Sequence, residues 1–79
     1  MAKAVYGKYP YPVIKHFMKQ RGFTQEKLAD KIGISRPALA YKLEGKREFF
    51  LWEAIAMRKA FSLSESVDLA WLFTKKEIA

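Results

Sequence analysis

The stretch Gln25–Gly45, QEKLADKIGISRPALAYKLEG, and the Lys46-Arg47 that follows it hold the basic and short apolar side chains that could meet a polyanion. Arg36 stands at the start of a helical run. From there its length reaches a base edge, and arginine to guanine O6/N7 is the commonest specific contact in the major groove. Setting Leu39 and Leu43 inward at about 100° per residue aims Pro37 and Tyr41 directly away from the core. Ala38 and Ala40 flank them, and Lys42 falls on a shoulder. Pro37, the two alanines and the Tyr41 ring are suited to apolar contact with thymine methyls. Lys42, Lys46, Arg47, Ser35 and Gln25 are the candidates for phosphates, Gln25 because it opens a helix whose first N–H groups face outward. Plainer roles stand beside these. Arg36 is also consistent with a solvated surface arginine, Tyr41 with packing on the first helix, Lys46 and Arg47 with ordinary loop charge, and Gln25 with a simple helix start.

Such a surface needs two short helices held at a steep angle. The Gly33-Ile34-Ser35 turn meets the requirements: Gly33 tolerates positive φ, Ala29 is small where the helices cross, and Ile34 points inward. With Leu28, Ile32 and Leu39 these residues predict a buried wedge and the geometry of a helix-turn-helix. Thr24 and Ser35 read as N-caps, with Glu26 in the first turn of the earlier helix.

Punctuation along the rest of the chain predicts helices at 12–21, 24–32, 35–44 and 50–61 and a short fifth ending near Phe73. Pro12 suits a first turn, and Val13, Ile14, Phe17 and Met18 make one helical stripe. The fourth helix is apolar over a wide arc, with Trp52, Ile55 and Ala56 on one stripe. Ser62–Ser66 reads as a turn, and Ser66 or Asp68 caps the last helix. No stretch alternates like a strand, so the expectation is an all-α, compact bundle of five short helices. Its core should hold Phe17, Leu28, Ala29, Ile32, Leu39, Leu43, Ile55 and Leu72. Residues 1–11 read as an N-terminal arm, 12–74 as the domain, and 75–79 as a frayed tail.

Composition narrows the function. With 79 residues there is one domain, and 51% hydrophobic residues suffice for its core. Residues 1–47 carry eleven Lys/Arg and three Asp/Glu, a net of +8, while residues 48–79 carry four and five, a net of −1. Excess positive charge on one part of a chain points to a polyanion. No apolar run is long enough to span a membrane, and the N-terminus lacks the apolar core of a secretory signal. There is no cysteine, His16 is the sole histidine, and neither a P-loop nor a GxSxG is present. No metal, cofactor, small-molecule substrate or enzymatic activity is therefore expected.

The chain resembles the phage repressor/Cro-like helix-turn-helix family, the XRE type. The matching residues are Thr24-Gln25-Glu26, Leu28-Ala29, Ile32-Gly33-Ile34-Ser35, Leu39 and the Leu43-Glu44-Gly45-Lys46 exit, followed by Phe49, the Trp52-to-Ala60 helix and Trp71-Leu72-Phe73. The resemblance implies a lambda-repressor-like fold and a sequence-specific transcriptional regulator of double-stranded DNA, its recognition helix 35–44 lying in the major groove. It also implies a cytoplasmic protein, bacterial or phage-encoded, and a Gln25 that bridges the DNA backbone and the first recognition-helix side chain. Three features depart from the pattern. Lys42 stands where the family has an apolar residue, polar readers are few on the recognition helix, and Phe50 takes an N-cap position it cannot serve. The alternative is a protein-interaction module, such as an antitoxin-like partner. A homodimer formed through the C-terminal part is expected, with Leu51, Trp71 or Phe73 left over after the core is filled.

Overall fold

The computed structural model describes residues 10–76, and five α-helices make up their regular structure. They are α1 (Pro12–Arg21), α2 (Gln25–Ile32), α3 (Arg36–Leu43), α4 (Leu51–Ala60) and α5 (Leu69–Leu72). Each boundary has a local cause. Pro12 occupies the first turn of α1, and Gly22 closes that helix in the left-handed region. Thr24 Oγ1 accepts the Lys27 N–H at 3.1 Å, and Ser35 Oγ accepts the Ala38 N–H at 3.2 Å, so both expected caps form. Asp68, rather than Ser66, caps α5 by accepting the Ala70 N–H.

The turn between α2 and α3 depends on Gly33, whose φ of 94° is costly for any side chain with a Cβ. It lets the Gly33 and Ile34 N–H groups both reach the Ala29 carbonyl, at 2.8 and 3.1 Å. The chain then reverses into α3 with Ile34 half-buried beneath it.

Helix α2 lies at the centre and packs against both α3 and α4, while α5 bridges α4 and α1. The core joins Leu28, Ala29 and Ile32 of α2 to Leu39 and Leu43 of α3 and to Leu72 of α5, as their spacing predicts. Ile14, Met18, Met57, Phe61 and Tyr11 complete it. Burying one such large side chain contributes about 1.5–3 kcal/mol. Phe17 is half-buried at the margin, stacked on Phe61 with centroids 5.6 Å apart.

Two expectations are corrected. Ile55 is exposed, not in the core, because α4 turns Glu53, Ala54 and Met57 inward instead. A helix apolar nearly all round carries no stripe that would fix its rotation. Tyr11, assigned to the N-terminal arm, is buried, with the rings of Phe49 and Phe73 against it at 5.6 and 6.1 Å. Burial raises its phenol pKa above the ordinary tyrosine value, and Tyr11 in turn raises that of Lys75. The rest of the arm, Met1 to Tyr9, lies outside the described residues, as do residues 77–79 of the expected tail. Lys76, also in that tail, donates its N–H to the Pro10 carbonyl at 2.6 Å. Among the described residues no helix is long and apolar enough to cross a membrane.

Candidate nucleic-acid interface

The surface of interest is the outer side of α3 and the loop that leaves it. Arg36, Pro37 and Tyr41 are exposed, with Ala38 and Ala40 half-buried beside them. Pro37 and Tyr41 sit one turn apart and point outward while Leu39 and Leu43 are fully buried, the orientation that the helical spacing predicts. Arg36 holds the first position of α3.

After α3, Gly45 turns the backbone at φ 82°, and the Lys46 N–H returns to the Tyr41 carbonyl at 2.9 Å. This brings Lys46 and Arg47 back beside the helix. The Lys46 ammonium and the Arg47 guanidinium stand 5.8 and 5.9 Å from the centre of the Tyr41 ring. Tyr41 is 48% exposed, with these two cations beside its ring. Cation–π contacts at such exposed sites contribute about 0.5–1 kcal/mol. Lys46 also meets Glu44 Oε1 at 3.2 Å. An exposed pair of this kind is weak, which leaves the ammonium able to move to a stronger anion.

Ser35 is exposed at the start of α3, its hydroxyl oxygen accepting the Ala38 N–H. Gln25 is half-buried at the first position of α2. Lys42 requires a correction. It was expected on a shoulder of α3 and within reach of a phosphate, yet it is 7% exposed and its ammonium binds the Glu53 carboxylate. Both Lys42 and Leu43 turn inward, so the departure from the apolar pattern at position 42 is met by an internal counter-charge instead of by solvent.

Other basic residues divide by location. Arg21, at the end of α1, donates from Nε to the Phe61 carbonyl at 2.9 Å and lies over the Phe17 ring, where it satisfies the last turn of α4. Lys27 and Lys31 are exposed on α2. His16 is exposed, its ring 5.2 Å from Phe17, and no group of three metal-ligating side chains occurs among the described residues.

Glu53 is the residue that the reading from sequence missed. Its Oε2 takes Lys42, and its Oε1 accepts the Phe50 N–H at 2.8 Å. Phe50 has no acceptor of its own, so Glu53 supplies the start of α4 with half of a capping box. The acid three positions beyond the helix start was the available signal.

A second surface lies on α4. Phe50, Leu51, Trp52 and Ile55 are all exposed there, Leu51 most of all at 70%. Phe50 and Leu51 also line a groove of about 510 Å³ whose walls include Phe49, Ala54, Leu69 and Phe73. Trp71 is half-exposed on α5, and Phe73 is only half-buried.

Residues 14–49, from within α1 to just past α3, match the family model described as "Helix-turn-helix". No curated protein and no solved structure matches the chain.

Proposed function

We propose that the chain, whose residues 14–49 match a helix-turn-helix family model, is a sequence-specific, DNA-binding transcriptional regulator of the repressor type. Helix α3 lies in the major groove of double-stranded DNA. Arg36 reads a guanine edge, and Pro37, Ala38, Ala40 and Tyr41 meet bases through apolar contact. Gln25, Ser35, Lys46 and Arg47 hold phosphates and set the register. The unit that does this is residues 12–74, acting in the cytoplasm without enzymatic chemistry. The observation that carries the reading is the exposed strip of Arg36, Pro37 and Tyr41 continuing into Lys46 and Arg47.

The protein works as a two-fold dimer on DNA. One module of this size offers few base contacts, and the outer side of α3 has a single long polar reader. The exposed Leu51 and Trp71 support the association. The near-neutral charge of residues 48–79 lets two copies meet while their basic faces remain outward. The exposed apolar face of α4 also favours a second reading, a module that binds another protein and reads DNA weakly.

Titration with random duplex DNA at 50 and 200 mM salt separates the two readings. A DNA binder making several phosphate contacts loses affinity by orders of magnitude over that range. Binding that is absent or insensitive to salt would leave only the interaction module.

A further inference from the structure

Lys42 and Glu53 are two charges removed from water inside a small domain, 7% and 1% exposed. They join the last turn of α3 to the first turn of α4. Each stands where the helix dipole welcomes it, the cation at a carbonyl end and the anion at an N–H end. No buried side-chain polar atom among the described residues lacks a partner. The Glu53 carboxylate is filled by the Lys42 ammonium and the Phe50 N–H, and the Phe50 ring covers the ammonium at 4.4 Å.

Such a pair is a poor source of stability. Desolvation cancels much of the attraction, and apolar replacements of similar volume are often neutral or better. What the pair supplies is direction. Apolar packing around α3 tolerates small rotations, whereas a charged hydrogen bond in a closed pocket accepts one geometry. The opposite end of α3 is fixed by the Ser35 cap and the Gly33 turn. The Lys42–Glu53 pair fixes the exit end.

We propose that Lys42 and Glu53 are positioning residues for DNA recognition: their buried pair sets the angle of α3 on the body of the domain and so the placement of Arg36 and Tyr41, with no contact of their own to DNA. The inference rests on the DNA-binding reading above.

The test uses the full chain with two duplexes, one selected by the wild-type protein from a random-sequence pool and one random. Two double variants are compared with wild type, Lys42→Met with Glu53→Met and Lys42→Gln with Glu53→Gln. The first removes both charges in an apolar form, and the second keeps polar atoms in case the first fails to fold. The expected result is a folded protein whose preference for the selected duplex falls about tenfold, the scale of one lost base contact. Its salt dependence on random duplex stays unchanged. Amide residual dipolar couplings of α3 relative to α4 should change as well, a readout that lost stability alone would not produce. Unaltered preference with unaltered couplings overturns the proposal. A salt slope lower by about one unit also overturns it, because Lys42 would then be a phosphate contact. Wild-type protein that selects no duplex removes the DNA-binding reading itself, and this inference with it.

Discussion

Arg36 and Lys46 are both exposed cations, and the proposed interface gives them different work. Arg36 begins α3 beside Pro37 and one turn before Ala40, so its guanidinium is carried by the helix proposed to enter the groove. Lys46 lies past Gly45, paired loosely with Glu44 and set against Tyr41. Arg36→Ala should cost about 1–3 kcal/mol on a selected duplex and relax preference at one base pair. Lys46→Ala should weaken selected and random duplexes alike and lower the salt slope by about one unit. Competition binding across a single-base substitution series distinguishes them. An Arg36→Ala protein equally weakened on every sequence would reassign Arg36 to a phosphate. The outward direction of Pro37 and Tyr41 was legible because two leucines four residues apart mark which side of a short helix faces the core. The fate of Lys42 was not, since burial of a lysine requires an acid on another element, and no spacing rule links positions 42 and 53.

At the scale of the element, the helix limits were legible wherever a cap or a breaker marks them. Thr24, Gly33, Ser35 and Gly45 each act where their type suggests. The rotation of α4 was not legible. Leu51, Trp52, Ile55 and Met57 give apolar character on every side, and the inward side is decided by Glu53 reaching Lys42 and Phe50. The end of α4 departs from the usual chemistry of a helix terminus. Ser62 takes φ 59°, with its N–H on the Lys59 carbonyl and the Leu63 N–H on the Arg58 carbonyl. A Cβ in that region costs about 1–2 kcal/mol. Ser62→Gly should recover about 1 kcal/mol of it and raise the melting temperature by roughly 4–8 °C. Thermal unfolding followed by circular dichroism checks this, and an unchanged or lower midpoint would contradict the left-handed conformation.

For the whole molecule, the dimer is a statement about stoichiometry on DNA. Two chains per selected duplex are expected, on a sequence with an inverted repeat. One chain on a site without symmetry would rule the dimer out. The core makes a separate prediction about alkaline pH. Folding raises the Tyr11 phenol pKa through burial, so the folded state holds that proton more tightly than the unfolded chain. The associated stability is complete below about pH 10 and is lost as pH rises through the raised value. Tyr11→Phe has no phenol to ionise, and its denaturant midpoint should fall less steeply above about pH 10 than that of wild type. Parallel declines in the two proteins would show that Tyr11 ionises freely in the fold.

The bond from the Lys76 N–H to the Pro10 carbonyl, with Pro10 Cγ 3.2 Å from where a Gly45 Cβ would stand, has a consequence for chain order. Positions 10 and 76 are neighbours in space, so the path between them is nearly a ring. A ring has no preferred starting point. Joining residue 76 to residue 10 through a short glycine-serine linker, and opening the backbone between the exposed Ser64 and Glu65, preserves all five helices and every pairing in the core. The rearranged chain should fold to the same structure. In it the buried Lys42–Glu53 pair keeps its separation along the chain, while α5 comes to precede α1.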